Sequence, residues 1–137
     1  MFGKKDGKTP TIDCLIGTET LIEGEVRFKG GLRIDGHVRG AVIAAEEGVN
    51  SLVLVSENAR VEGRLQAKHV VVNGTVEGPV CAETLLELQP SARVVGEIRY
   101  RALEMHPGAV VEGTLSHLDD MQGLTLAASN EQGGPQL

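Results

Sequence analysis

Apolar residues and glycine recur together in a short pattern along most of the chain. The five-residue pattern, apolar-x-Gly-x-apolar, occurs six times, at 22–26, 38–42, 61–65, 76–80, 94–98 and 111–115. Its central glycines are Gly24, Gly40, Gly63, Gly78, Gly96 and Gly113, which are spaced 16, 23, 15, 18 and 17 residues apart. Self-similarity at a fixed period is the signature of a solenoid, in which each copy packs against the next.

A second series of apolar positions supports the first. Apolar-x-apolar triplets at 32–34, 70–72, 86–88 and 103–105 follow the preceding glycines by seven or eight residues, and 14–16 fits the same column at the front. In the second repeat the triplet is placed at Leu52 and Leu54, twelve residues after Gly40. The polar stretch 46–51 accounts for this delay as a loop insertion of about four or five residues.

Alternation with a period of two predicts strands. Within the third repeat, Val61, Gly63 and Leu65 are predicted to face inward, and Glu62 and Arg64 to face outward. An inward glycine indicates a bend, or a place where backbone packs too closely for a side chain. Turn signals at 35–36, 57–58, 73–74, 89–91 and 106–108 separate the strands.

Coiling the chain so that equivalent residues stack satisfies both series at once. The predicted fold is all-β, a single-stranded β-helix of about six rungs over 12–118, rising ~4.8 Å per rung and ~29 Å in total. One inner column runs through Val26, Val42, Leu65, Val80, Ile98 and Leu115. A narrow interior filled by aliphatic side chains explains why the 137 residues include only Phe2, Phe28 and Tyr100 as aromatics. Neither column determines the handedness.

Charge and cysteine content limit the possible partners and the cellular compartment of the protein. The net charge is −6, and residues 1–11 contribute +2 of it, so the remainder is acidic and no nucleic-acid partner is expected. The two cysteines, Cys14 and Cys81, form no CxxC pair, which predicts reduced thiols in a cytoplasmic protein. No apolar run approaches the length of a membrane-spanning helix.

The repeats resemble those of the bactofilin family of bacterial cytoskeletal proteins. The resemblance covers 12–118 and rests on the six glycine repeats, the rung length of about 17 and the start Met1-Phe2-Gly3-Lys4-Lys5. It implies a right-handed, three-sided β-helix that polymerises without nucleotide into non-polar filaments. It also implies membrane association through the N-terminal segment and scaffolding of cell-wall or cell-shape machinery, with cell-wall enzymes as partners.

The resemblance and the repeat boundaries divide the chain into three parts. Residues 1–11 are predicted to be a flexible membrane-binding segment, in which Met1, Phe2, Lys4 and Lys5 meet the anionic inner face of the cell membrane. Residues 12–118 form the β-helix domain, and 119–137 are a flexible tail, with a cap on one end of the helix as the alternative for 118–137. The protein is therefore expected to be cytoplasmic and peripheral to the membrane.

The open ends of a solenoid predict the polymer interface. Inner positions of the terminal rungs have a neighbouring rung on one side only, and uncapped solenoid ends seek partners. The residues predicted to join subunits are Ile12, Cys14, Ile16, Leu115 and Leu118. Lateral association is not expected, because the outward positions are mostly acidic: Glu23, Glu25, Glu62, Arg64, Glu77, Glu97 and Glu112.

The sequence predicts no catalytic activity, no cofactor and no metal site, so the chain is not expected to be an enzyme. His37 and His106 lie in or beside turns and are interpreted as solvated residues, and His69 and His117 form no close helical pair with them. Glu62 and Glu77 occupy equivalent outward positions on successive rungs and are interpreted as a solvated face rather than an acid–base pair. Two alternatives remain, a non-polymerising β-helical module that displays a flat face to a protein partner, and an enzyme of the left-handed β-helix type.

Overall fold

The computed structural model describes residues 12–45 and 50–118, a stretch built from strands and turns. The strands are β1 (Ile12–Ile16), β2 (Leu21–Glu23), β3 (Val26–Phe28), β4 (Gly31–Ile34), β5 (His37–Arg39), β6 (Val42–Ala44), β7 (Leu52–Val55), β8 (Arg60–Glu62), β9 (Leu65–Val72), β10 (Thr75–Glu77), β11 (Val80–Leu88), β12 (Arg93–Tyr100), β13 (Leu103–Met105) and β14 (Val110–His117). The predicted membrane-binding residues Met1, Phe2, Lys4 and Lys5 and the 119–137 tail lie outside the described residues.

The strands stack in parallel into three faces. Face A consists of β1, β4, β7, the second halves of β9 and β11, and β13. Face B consists of β2, β5, β8, β10 and the first halves of β12 and β14. Face C consists of β3, β6, the first halves of β9 and β11, and the second halves of β12 and β14. The chain passes through A, B and C once per rung, so the predicted three-sided solenoid of six rungs is confirmed.

The inner side of each face is a column of stacked aliphatic residues. On face C the register pairs the members of the predicted column in order: Val26, Val42, Leu65, Val80, Ile98 and Leu115. The members in rungs two to five are 0–1% exposed. At ~25 cal/mol per Å² of apolar surface removed from water, these columns are the main source of stability, and Phe28, which is 8% exposed, and the partly buried Tyr100 add the aromatic part of the core.

The predicted register of the third rung is wrong by one residue. Val53 pairs with Leu32 and Val55 with Ile34, and both valines are 0% exposed. Leu52 and Leu54, which the sequence placed in the core, are half-buried on the outer side of face A. The insertion before β7 is therefore one residue longer than predicted, and a shift of one residue exchanges the two sides of a strand.

The repeat glycines form the corner between faces B and C. Gly63 has a φ of +149° and Gly78 a φ of +145°, which side-chain-bearing residues rarely adopt. A Cβ on Gly63 would also collide with the carbonyl oxygen of Gly40 in the preceding rung. The predicted bend is confirmed, but Gly63 is half-buried at the corner rather than on the inner face with Val61 and Leu65.

Side chains complete the hydrogen bonding at other corners. Ser51, which is 3% exposed, accepts a hydrogen bond from the Lys68 backbone N–H at 3.0 Å. Asn73 accepts one from the Ser91 N–H, also at 3.0 Å. Because backbone groups at a corner leave the regular ladder, such contacts satisfy groups that would otherwise be costly to bury.

Candidate assembly surfaces

The last rung leaves inner positions uncovered within the described chain. On face C, Leu115 keeps 44% of its surface exposed, whereas Leu65 in the same column is 0% exposed. On face A, Met105 is 47% exposed, although its register partner Leu88 in the fifth rung is 0% exposed. Leu118, the last residue described, is half-buried. The exposure arises because the sixth rung has a described neighbour on one side only.

The first rung is similarly open, but less uniformly. Ile12 is 42% exposed, and Cys14 is an exposed free thiol although its register partner Leu32 is 0% exposed. Ile16 is only 6% exposed and pairs in register with Ile34 of the second rung. Among the predicted joint residues at this end, Ile12 and Cys14 are therefore accessible to a second subunit and Ile16 is largely covered. That these positions join subunits stays a prediction.

Strand edges are open at both ends of the described solenoid. In the first rung β1, β2 and β3 pair only with β4, β5 and β6, respectively. In the last rung β13 pairs only with β11, and β14 only with β12. An unpaired strand edge presents N–H and C=O groups in the spacing that another strand needs. Each end therefore combines exposed aliphatic side chains with a template for further β-pairing.

Face B carries a ladder of opposite charges. Arg60 donates hydrogen bonds to Glu62 at 3.0 Å and to Glu77 at 2.7 Å. The two glutamates are in register on neighbouring strands, as predicted. Arg39 extends the ladder to Glu23, at 3.2 Å. Because one guanidinium bridges both carboxylates, Glu62 and Glu77 form part of a charge-paired surface rather than a general acid and base.

Two histidines interpreted as solvated turn residues have acidic partners. The Nε2 atom of His37 lies 2.7 Å from a carboxylate oxygen of Glu62, and this hydrogen bond, with the charge of the nearby arginine, lowers the pKa of Glu62. His106 lies 3.2 Å from Glu87, and Glu104 completes a group whose ligand atoms all lie within 4.8 Å of one another. Glu104 and His106 are exposed, and Glu87 is half-buried.

The cysteine on the wall of the solenoid is a poor nucleophile. Cys81 lies on face C, and burial, with a smaller effect of the neighbouring Glu83 carboxylate, raises the pKa of its thiol. A raised pKa keeps the sulfur protonated, and the thiolate is the reactive form.

Face A has an apolar outer surface that the sequence did not predict. Leu52, Leu54, Val71 and Leu85 lie half-buried on outward positions of neighbouring rungs. The expectation that outward positions are mostly acidic is therefore wrong for this face. The error follows from the register of the third rung, since two of the four residues had been assigned to the core.

The described residues, 12–45 and 50–118, contain no helix with the length and hydropathy needed to cross a bilayer.

Three stacked parallel faces, an aliphatic interior and open inner positions at both ends define the class of the protein: a β-solenoid suited to building polymers. A model of the bactofilin family, described as polymer-forming cytoskeletal, matches residues 14–116. The chain belongs to the bactofilin family of polymer-forming cytoskeletal proteins, which confirms the resemblance seen in the repeats. A structural, non-enzymatic protein fits this family.

Two known proteins illustrate the relationship. The chain is 29% identical over 103 residues to bactofilin BacO of Myxococcus xanthus, covering 75% of this chain and 78% of that one. It is also similar to the Thermus thermophilus bactofilin, seen by cryo-EM as double helical filaments, with a TM-score of 0.63 and 34% identity. That match covers 74% of this chain and 98% of the other.

Proposed function

We propose that this bactofilin assembles end to end through the two open ends of its solenoid, without nucleotide. The observation that carries the proposal is the exposure of Leu115 and Met105, whose column neighbours are fully covered. A second subunit that continues the columns would cover these side chains and pair the open edges of β13 and β14. Self-association also agrees with the filaments formed by the Thermus thermophilus relative.

Polymerisation is tested directly with the purified full chain. Electron microscopy should show filaments with an axial repeat of ~30 Å per subunit, in buffer containing EDTA and free of ATP and GTP. Sedimentation at a series of concentrations should reveal a critical concentration, and adding nucleotide should leave it unchanged. A species that remains monomeric at high concentration would favour the alternative of a non-polymerising β-helical binding module.

We also propose that the filament attaches to the anionic inner surface of the cell membrane through its N-terminal segment. Phe2 offers an apolar ring to the lipid interface, and Lys4 and Lys5 offer charge to the headgroups. Each basic residue contributes roughly 1 kcal/mol near an anionic surface, so one subunit binds weakly and a filament binds through many copies. The protein would then be cytoplasmic and peripheral.

Membrane attachment is tested by deleting residues 1–8. The truncated protein should no longer sediment with anionic vesicles, and its filaments should persist because the deletion ends before the first rung. A charge variant, Lys4→Glu with Lys5→Glu, keeps the length and should show the same loss. Vesicles of neutral lipid serve as the control, and binding of the truncated filaments to anionic vesicles would assign attachment to another part of the chain.

A cellular role as a scaffold completes the proposal. Its support is the family: bactofilin resemblance implies recruitment of cell-shape or cell-wall machinery, including cell-wall enzymes. A rod of repeated subunits presents the same faces many times, which suits a platform that gathers weakly binding partners. Deleting the gene and restoring either the intact chain or a non-polymerising variant tests it, because a scaffold requires polymer and a simple adaptor does not.

A further inference from the structure

The outer surface of face A changes character from one end of the solenoid to the other. Its outer row, followed by register from the first rung to the last, is Leu15, Arg33, Leu54, Val71, Glu87 and Glu104. The row is thus apolar at the first rung, basic at the second, apolar at the third and fourth, and acidic at the fifth and sixth. In the row beside it, Leu52 in the third rung and Leu85 in the fifth add apolar surface on either side of His69 in the fourth.

The other two faces have a different surface. Outward charges on face B pair with one another across neighbouring rungs, as Arg60 does with Glu62 and Glu77. On face A the charged residues have nearby partners as well, Arg33 with Asp35 at 3.0 Å and Glu87 with His106 at 3.2 Å. On face C the equivalent outward row is mostly polar: Arg27, Ile43, Gln66, Cys81, Arg99 and Ser116. Of the three faces of the described solenoid, face A alone combines an apolar centre with opposite charges on its two sides, Arg33 before it and Glu87 and Glu104 after it.

We propose that face A is the lateral contact between two copies of this chain, packed antiparallel and face to face. A two-fold axis along the strand direction, between the third and fourth rungs, places Leu54 against the partner's Val71. The same axis places Arg33 against the partner's Glu87, and this contact occurs twice because the interface is self-complementary. The inference rests on the proposed end-to-end filament, which it extends to a pair of strands.

The charge distribution selects the antiparallel arrangement. In a parallel pair, equal rungs lie at equal heights, so Arg33 is level with the partner's Arg33, and Glu87 with the partner's Glu87. Like charges facing each other destabilise a contact, and opposite charges fix its register. The row of face A therefore distinguishes two arrangements that the apolar centre alone would accept equally.

The size of face A explains why the contact needs a filament. Six rungs at ~4.8 Å and about four residues at ~3.3 Å give a face of about 380 Å², or about 760 Å² buried in a pair. Stable interfaces bury roughly 1,200 Å² or more, so two isolated subunits should stay apart. Along a filament the contact repeats with every subunit, and the weak contacts act together.

Charge reversal tests the contact. Within one chain Arg33 and Glu87 are three rungs apart, or ~14 Å, which is too far for direct contact. A substitution at one position can therefore compensate for a substitution at the other only through contact with a second copy. We expect Arg33→Glu to convert paired filaments into single ones in electron micrographs, a loss of tenfold or more in paired length. The double variant Arg33→Glu with Glu87→Arg should restore pairs. Sedimentation should show that the single and double variants polymerise at the wild-type critical concentration.

A second pair of variants guards against misfolding. Leu54→Lys places a charge in the apolar centre and should give single filaments, whereas Gln66→Lys, in the same rung on face C, should leave pairs intact. Wild-type filaments that are always single, or Arg33→Glu filaments that still pair, would overturn the lateral contact. Unpaired filaments that Glu87→Arg does not restore would overturn the antiparallel register and a second copy as the occupant of face A. Absence of any wild-type filament would instead contradict the proposed function.

Discussion

Replacing Leu115 by arginine tests the end joint in its most sensitive place. Leu115 occupies the last position of the face C column and is 44% exposed, so a further subunit that continued the column would cover it. Full burial of a leucine is worth roughly 1.5–3 kcal/mol, so completing this burial contributes roughly 1 kcal/mol to each joint. Arginine loses that contribution and adds the cost of placing a charge in the joint without a partner, which is several kcal/mol.

The expected loss is large enough to measure without ambiguity. A total of roughly 4 kcal/mol raises the critical concentration about a thousandfold, since each 1.4 kcal/mol corresponds to a factor of ten. At micromolar concentrations the Leu115→Arg protein should be a small soluble species in sedimentation velocity, at most a dimer through its unchanged N-terminal end. Far-UV circular dichroism should remain β-rich, because the position is at the edge of the fold and already partly solvated.

The matched control lies one residue away. Thr114 is on the outer wall beside Glu97, so Thr114→Arg introduces the same charge next to an acidic partner and outside the joint. It should polymerise like the wild type. If Leu115→Arg polymerises normally while charge changes at Glu62 or Glu112 dissolve the filaments, the ends do not join subunits and the proposed geometry is refuted.

Three further predictions concern the stability of the solenoid. Gly24→Ala and Gly63→Ala both place a side chain at positive φ, but a Cβ on Gly24 meets nothing within 4 Å and one on Gly63 meets the preceding rung. Chemical denaturation should therefore show a loss of about 1–3 kcal/mol for Gly24→Ala and a further 1–3 kcal/mol for Gly63→Ala. Ser51→Ala should cost about 1–3 kcal/mol, because it leaves the Lys68 N–H unpaired at a buried corner, whereas Ser116→Ala should cost little. A hydrogen bond with His37 lowers the pKa of Glu62, and hydrogen bonds from Ser56 and Arg33 lower the pKa of Asp35. The stability that these two carboxylates supply is complete above their unfolded pKa values and is lost as pH falls through the folded ones, so the free energy of unfolding should decrease below about pH 4. His37→Ala should weaken this decrease in chemical denaturation at a series of pH values.

The sequence was sufficient for the fold because the repeat itself encodes the stacking. Glycines at a fixed place in each repeat predict a corner, and apolar residues at fixed distances from the glycines predict columns. The register confirms this even across the irregular spacing of 23 residues between Gly40 and Gly63. A single-sequence argument succeeds here because each of six copies tests the same assignment.

The register of the third rung failed where the repeat is interrupted. Counting forward from Gly40 crosses the insertion, whose length the chain does not reveal. Counting back from the next glycine repeat would have succeeded: the triplet ends four or six residues before that repeat in the other rungs, and Val55 lies six residues before Val61. Leu54 lies seven before it, an odd spacing that would turn the strand over.

The repeat pattern did not predict which surface side chains would pair with each other, because such pairs depend on which strands the corners bring side by side. His37 and Glu62 are 25 residues apart and meet only because β5 and β8 are adjacent on face B. The apolar outer row of face A was lost for a related reason, since it appears only once the third rung is in register. The repeats predict the inner columns well. Assigning a residue to an outer row requires the register to be correct to a single residue.

The proposed end joint and the proposed lateral contact through face A should differ in strength, which would give assembly an order. The joint adds aliphatic burial and strand pairing, the same interactions that hold rung to rung, whereas face A buries too little for two free subunits to associate. Lateral pairing should therefore depend on polymerisation, and polymerisation should not depend on pairing. Loss of the joint in Leu115→Arg should remove filaments and pairs together, while Arg33→Glu should remove pairs alone. A variant with intact pairs but no filaments would show that the lateral contact is the stronger of the two and would reverse this order.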